Sequence, residues 1–343
     1  MKVLVVGGTG LISQCIVTQL VAQGDEVHLY NRGETVADVP EGVERTTGQR
    51  AEIGAFKDEI ARRGFDVAID MCGYTEQDAN ALVQAVGGSV PQVIFCSTTD
   101  VFEKGKGPYP MTEGSPRSAR PSFSYGVGKV LSEATLERAA GNGAFALTIV
   151  RPAQTYGGPN HGPNHPLGHR GYHLWRLASA LPVILHGDAS SLWCACFAPD
   201  VAAAFVAAAG NPDAYNRDYN AAGDEIVTWQ RYWEITAEAF GGPPLTSVTV
   251  PTTVLSLVFG PDADVLVENY RFNNVFDCTR AKDELGFRYT TTLRAGFELV
   301  AGRFGRIWRQ SGEEERQSPF AERYERFLTW WQTTTDELRS GQW

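Results

Sequence analysis

The feature that most constrains this chain is an alternation that begins at its first residues. A short apolar run, Lys2–Val6, leads into Gly7-Gly8-Thr9-Gly10-Leu11-Ile12-Ser13, which opens a helix-spaced segment, Leu11–Ala22. Strand-like and helix-like segments then keep exchanging places. Strands are expected at 26–30, more weakly at 43–47, and at 66–70, 93–97 and 144–150; helices are expected at 51–63, 76–86 and 122–140. This pattern builds parallel βαβ units with right-handed crossovers and helices on both sheet faces. After Arg151-Pro152 the texture changes. Residues 156–172 are rich in Gly, Pro, His and Asn and read as a long loop, and 173–300 mix short strands and helices less regularly. Long loops inside compact domains are usually functional.

A glycine string between a first strand and a first helix has a physical purpose. Glycine permits the tight turn and lets the backbone approach a pyrophosphate, while the helix N-terminus offers free N–H groups and a positive dipole end. Gly7, Thr9, Gly10, Leu11 and Ile12 are the candidate pyrophosphate contacts, and small Ser13 stands where a third glycine is usual. The predicted fold class is therefore α/β: a Rossmann-type doubly wound parallel sheet at residues 1–155. A smaller C-terminal substrate-binding lobe is expected at 156–343, with some segments returning to the sheet. The expected cofactor is NAD or NADP. The second strand ends in Asn31-Arg32 where an acidic residue usually receives the ribose hydroxyls of NAD. A guanidinium suits a 2′-phosphate, so the reading leans to NADP; the alternative is Arg32 stacked on adenine with NAD bound. Arg50, after the third strand, is either a second phosphate contact or a surface charge.

Tyr125 and Lys129 are four apart in a helical segment and so share a face. A free phenol, with a pKa of about 10, is a poor base near neutrality; a nearby ammonium or an oxidised nicotinamide lowers that value. Lys129 can also hold the cofactor ribose. Hydroxyls cluster at Ser97-Thr98-Thr99, at the carboxyl end of an expected strand, where open α/β sheets bind ligands.

Together these motifs resemble the extended short-chain dehydrogenase/reductase family, in its branch of nucleotide-sugar epimerases and dehydratases. The resemblance rests on residues 7–13, 97–102, 125–129 and Arg151-Pro152-Ala153-Gln154-Thr155-Tyr156-Gly157-Gly158, and continues faintly through Gly187-Asp188 and Pro199-Asp200-Val201-Ala202. It implies that Tyr125 is the acid/base, Lys129 its partner and Thr98 the triad hydroxyl, with both Tyr125 and Lys129 against the cofactor. It also implies a homodimer. Two departures stand out. Dehydratases of the family carry an Asp-Glu pair after the triad hydroxyl; here the positions are Thr99 and Asp100, which weakens dehydration. Both face the substrate in this reading, Asp100 either as a base or, with better odds, as a cap on local N–H groups. Second, the arginine that grips a substrate diphosphate is replaced by Trp193. Trp193 either stacks on a substrate ring or is a core aromatic, and Arg271 is the candidate replacement for the diphosphate contact.

His161, His165, His169 and His173 recur every fourth residue, but Gly162, Pro163, Pro166, Gly168 and Gly171 forbid a regular helix through most of this stretch. No metal site is expected; His161 and His165 are read as lid-loop residues that hydrogen-bond a polar substrate. The net charge of −10 argues against a general nucleic-acid surface, and no apolar stretch is long enough to span a bilayer. Scattered cysteines without a CxxC pair suit a reducing, cytoplasmic setting. The expected function is an NAD(P)-dependent epimerase acting on a sugar hydroxyl of a nucleotide sugar or related sugar-containing small molecule through a transient ketone. The alternatives are an NADPH-dependent carbonyl reductase and a non-catalytic binding protein on the same fold.

Overall fold

The computed structural model describes residues 1–35, 37–118, 120–158 and 160–341. The chain divides into two compact units. The first comprises Met1–Gly157, Cys194–Glu225 and Val275–Thr291; the second comprises Gly158–Trp193, Ile226–Asn274 and Thr292–Trp343.

The first unit is built on one parallel sheet. Its strands are β1 (Lys2–Val6), β2 (Glu26–Asn31), β3 (Glu44–Thr47), β4 (Val67–Asp70), β5 (Gln92–Cys96), β6 (Ala146–Pro152) and β7 (Arg217–Ala221), in the spatial order β7-β6-β5-β4-β1-β2-β3. Val5 of β1 lies between Leu29 of β2 and Ile69 of β4, and Val150 of β6 lies between Cys96 and Tyr219. The central strands β1, β4 and β5 are buried without alternation because both faces are covered, and every residue of β4 and β5 is buried, whereas edge strand β3 is polar and largely exposed. Four helices follow the early strands: α1 (Leu11–Ala22), α2 (Ile53–Arg63), α3 (Glu76–Val86) and α4 (Ser124–Gly141). Ile16, Val17 and Leu20 of α1 pack on one face with Val201 and Phe205 of the helix Ala198–Ala208. Phe56, Ile60, Leu82, Val86 and Leu136 from α2, α3 and α4 cover the other. This is the Rossmann-type doubly wound sheet expected from the sequence. The strand order changes direction at β1, so the carboxyl ends of β1 and β4 flank the crevice where such sheets take ligands.

The second unit is mainly helical. Leu293–Glu315 packs on Arg170–Ala178 and Trp229–Ala239, beside two short strand pairs: Val183–His186 with Ser247–Val250 in parallel, and Leu192–Trp193 with Val227–Thr228 antiparallel. The terminal helix Pro319–Ser340 starts with Pro319 after the Ser318 cap, whose hydroxyl accepts from the Ala321 N–H at 3.2 Å. It buries Phe320, Tyr324, Phe327 and Leu328, so it is a docked amphipathic helix. Among the described residues, no helix is long and apolar enough to cross a membrane.

Candidate active site and cofactor pocket

The loop after β1 is shaped by three contacts. Gly7 and Gly8 have φ of +109° and +89°, conformations that favour glycine. A β-carbon on Gly8 would meet Leu29 Cδ2 at 2.5 Å, so the loop sits directly against β2. Ser13 is more than a small residue that packs. Its hydroxyl accepts from the Gly10 N–H at 2.9 Å and sits 3.2 Å from the Gly10 carbonyl, closing the turn that begins α1. One N–H of the loop is thereby satisfied inside the protein. Ile12 packs on the core of the first unit.

Asn31, expected at the ribose, has another task as well. Its Nδ2 donates to the Gly7 carbonyl at 2.8 Å, and its Oδ1 accepts from the Gly33 N–H at 3.0 Å. The side chain braces the end of β2 against the glycine loop. Arg32 is 64% exposed and paired with an equally exposed Glu34 at 3.0 Å, a pair worth little in water. Arg50 is not the surface charge that was one of its two readings. Its Nη2 donates to Asp70, buried at the end of β4, at 2.8 Å, while its buried Nε has no partner. Asp70 lies at the carboxyl end of a central strand, so this buried carboxylate fixes Arg50 beneath the crevice. Thr9, Asn31, Arg32, Arg50, Cys72 and Tyr74 are among the residues around a cavity of about 500 Å³. The size, the glycine turn and the unused guanidinium Nε fit a dinucleotide.

The catalytic candidates lie close together in the first unit. Thr98 follows the end of β5, and its Oγ1 accepts from the Asp100 N–H at 3.2 Å; its side chain favours the ionised form of the Tyr125 phenol. Tyr125 stands on the first turn of α4, near Tyr74, with ring centroids 6.4 Å apart. Lys129, one turn on, is almost wholly buried, and its Nζ donates to the Cys96 carbonyl at 2.6 Å. That ammonium also lies 5.0 Å from the Tyr74 ring and 4.8 Å from the Phe95 ring. In this state the Tyr125 phenol is not the lowered one that the Tyr–Lys spacing suggested. Although Tyr125 is 39% exposed, the packing around its hydroxyl pushes its pKa up, Asp100 pushes it further, and the Thr98 side chain opposes both. Lys129 is itself held below its ordinary value by burial.

Asp100 accepts from Lys104 Nζ at 2.8 Å, and Lys104 is buried over the Phe276 ring. Lys104 was not anticipated; a lysine four residues past a strand-end aspartate was the signal. Thr99 is buried in the turn Thr99–Val101. Asp200 clips Thr290 and Thr291, accepting from both N–H groups at 3.0 Å.

The second-unit candidates fare differently. His165 is buried, at 1% exposure, and both ring nitrogens are used: Nε2 contacts the Ile184 carbonyl at 2.9 Å and Nδ1 accepts from the Leu167 N–H at 3.1 Å. It stacks on His173 at 3.3 Å between centroids. The expectation that it faces a substrate from a lid loop is therefore corrected: Pro163, Pro166 and Leu167 fold the loop into the core. His161 is exposed, held below its ordinary pKa by partial burial and the Arg170 charge. Trp193 is buried against Trp229 and Tyr270, the core-aromatic option of its two readings. Arg271 lies over the Phe272 ring at 4.7 Å and lines a cavity of about 510 Å³ with His186, Asp188, Ser191 and Asn273.

A glycine-loop crevice on a doubly wound sheet, with a Thr–Tyr–Lys constellation on β5 and α4, defines a dinucleotide-binding oxidoreductase-type enzyme. Comparison with known proteins makes this specific. The profile of the NAD dependent epimerase/dehydratase family matches residues 3–222, and the chain belongs to that family, within the extended short-chain dehydrogenases/reductases. It is 29% identical over 280 residues to a 2'-dehydrokanamycin reductase of Streptomyces kanamyceticus, covering 81% of this chain and 77% of that protein. It is 25% identical over 255 residues to the chloroplast stem-loop binding protein of 41 kDa b of Arabidopsis thaliana, covering 71% of this chain and 64% of that one. Among solved structures, the UDP-glucose 4-epimerase of Thermus thermophilus in complex with NAD superposes with a TM-score of 0.70 at 21% identity. The match spans 89% of this chain and 99% of that one. The UDP-glucuronic acid 4-epimerase of Bacillus cereus with NAD gives a TM-score of 0.68 at 16% identity, over 90% and 100%.

Proposed function

We propose that this enzyme uses a nicotinamide dinucleotide to oxidise and reduce a single carbinol carbon of a sugar-containing small molecule, with epimerisation as the net result. The observation that carries the reading is Tyr125 on the first turn of α4, one turn before buried Lys129, whose Nζ donates to the Cys96 carbonyl two residues before Thr98. A bound nicotinamide supplies the two-electron acceptor and donor and, when oxidised, a positive charge near Tyr125. Gly7, Thr9, Gly10 and Leu11 cradle its pyrophosphate; Arg32 and Arg50 serve its adenosine end.

The chain's own residues then manage the proton. Burial and Asp100 keep the Tyr125 phenol protonated before the cofactor arrives. Positive charge beside it opposes both effects, so the phenol would release its own proton to solvent and the resulting phenolate could take the substrate hydroxyl proton. Thr98 would hold the same substrate oxygen. Lys129, pinned to the Cys96 carbonyl, would donate to the cofactor ribose. The resulting ketone has to turn before Tyr125 returns the proton. Within the second unit, Arg271 and Asp188 line one cavity and are its proposed polar contacts for a ligand, a diphosphate resting on Arg271. Leu131 is 43% exposed on α4, which supports a homodimer through that helix.

A second reading is favoured by two observations. Arg32 is an exposed guanidinium whose surface pair with Glu34 is weak enough to give way to a 2′-phosphate, and one relative is a reductase at 29% identity. Under it, the same triad protonates a ketone in a one-way NADPH reduction. Mass spectrometry of the nucleotide released by denaturing freshly purified protein separates the readings. Tightly held NAD or NADP supports epimerisation. An empty site that binds NADPH reversibly, with stoichiometric NADPH oxidation on a ketosugar, supports reduction. If neither nucleotide binds, both fall.

A further inference from the structure

Tyr125, Lys129 and Glu133 succeed one another every fourth residue along α4, and the end of β5 runs Cys96-Ser97-Thr98 beside them. Two hydrogen bonds join the two in step: Lys129 donates to the Cys96 carbonyl, and the Ser97 hydroxyl donates to Glu133 Oε1 in a very short contact. Thr98, next in line, favours the ionised Tyr125 phenol. Glu133 is wholly buried, a costly place for a carboxylate unless its lone pairs are filled. They are filled. Arg151 of β6, equally buried, donates from Nε to Oε1 at 2.8 Å and from Nη2 to Oε2 at 2.9 Å, and Arg117 adds a further bond to Oε2. Arg151 is in turn held by Asp218 of β7 at 2.7 Å. Adjacent strands β5, β6 and β7 thus converge on one carboxylate. Its only neutral partner among these bonds is the hydroxyl of the residue preceding Thr98.

We propose that Glu133, acting through Ser97, is a positioning residue that sets where the Thr98 hydroxyl stands relative to Tyr125. A bidentate guanidinium fixes the carboxylate in two directions. The carboxylate fixes Ser97, and Ser97 fixes the peptide that carries Thr98. Displacements of about 1 Å in such a site cost on the order of a hundredfold in rate, so the bracing is relevant to catalysis. The proposal rests on the reading of Tyr125 as acid/base, and its test is separable from that reading.

The test follows Tyr125 directly in the full-length protein saturated with NADP+. The ζ-carbon resonance of carbon-13-labelled tyrosine, assigned with Tyr125→Phe, is recorded as a function of pH. Ser97→Ala leaves the Glu133–Arg151 pair intact, so it is the primary variant; Glu133→Gln is the second. The expected result is an upfield shift of the Tyr125 resonance at fixed pH in Ser97→Ala. Any ionisation should move up by on the order of one pH unit, the equivalent of a weakened hydrogen bond to a charged group, and Ser97→Thr should restore the wild-type position. A Tyr125 resonance unmoved in folded Ser97→Ala overturns the proposal, even if thermal stability falls, because a purely structural hydroxyl would do that alone. Full turnover by Tyr125→Phe would instead remove the acid/base reading itself, whatever the resonance does.

Discussion

The two units bury polar groups in different proportions. In the first, most buried charges meet an opposite charge: Glu133 with Arg151, Asp70 with Arg50, Asp100 with Lys104, while Lys129 rests on a carbonyl. In the second, much of the buried polarity is neutral imidazole among aromatics. Five of the six histidines lie there. His165 and His173 stack together, and His186 is edge-on to Trp229. Ion networks hold directions, because a carboxylate with several fixed donors cannot rotate. Imidazole stacks hold volume and lose their fit once protonated. The difference fits a first unit that must aim a phenol and a second that contributes shape.

The comparison is broken most severely at the phenol. Tyr125→Phe should lower turnover of the sugar-containing substrate, or NADPH oxidation on a ketosugar, by about 10²- to 10⁴-fold, the usual contribution of one acid/base. Nucleotide binding should survive, as measured by titration. Full turnover would show that the first unit's polar order serves something else.

Acidity should separate the units next. Burial holds the His173 imidazole at about 3 and His186 at about 4, and holds His165 well below its ordinary value. Each stays neutral when folded but takes up a proton when unfolded. Its stabilising effect is therefore complete above about pH 6.5 and declines as pH falls towards the folded value, by about 1.4 kcal/mol per pH unit per imidazole. In the first unit, Glu133 and Glu59 lie below the usual carboxylate range, Glu59 at about 2. Their contributions fade only below about pH 4.5. His28 is the first unit's one buried imidazole. Amide exchange at pH 5.5 should show protection lost in Arg170–Ala178 and Trp229–Ala239 before β4 and β5. The reverse order would refute the contrast.

A narrower effect is expected at the loop. Gly8→Ala imposes a strained φ and drives a methyl into Leu29, at a cost of about 1–3 kcal/mol. Dinucleotide affinity should fall with the thermal midpoint, whereas Gly302→Ala, which meets nothing within 4 Å in the second unit, should raise or preserve stability. The smallest effect tunes the site. Asp100→Asn removes a charge that raises the Tyr125 pKa, so the acidic limb of the pH–rate profile, along which Tyr125 becomes the base, should move to lower pH. An unmoved limb would show that Lys104 already cancels that charge.

Much of the first unit was legible because its strands and helices each carry a local signal. Lys2–Val6, Leu11–Ala22 and Glu76–Val86 occur as read, and other boundaries shifted by one or two residues. Tyr125, Lys129 and Thr98 meet because a four-residue spacing and a strand end are local facts. The second unit was less legible, since its order comes from distant packing. The helix Leu293–Glu315 carries glycines at 296, 302, 305 and 312, which blur a helical reading. Gly312 is explained only by the fold: a β-carbon there would meet Trp175 Cβ at 2.5 Å. His165 looked like a loop ligand because burial is invisible where periodicity is absent. Ser13, Glu133 and Arg151 were passed over for another reason. Their partners lie in the turn of the glycine loop and across the sheet, and no spacing encodes that.

The Asn31 brace bears on anyone who would re-engineer the nucleotide choice of this enzyme. The obvious exchange is an aspartate at 31 with removal of the guanidinium at 32. Here that exchange would set a carboxylate oxygen against the Gly7 carbonyl and take away the amide N–H that holds the loop. Specificity and loop integrity are written into the same side chain. A successful conversion must first supply Gly7 with another donor, so nucleotide preference in this lineage should change through paired substitutions rather than single ones.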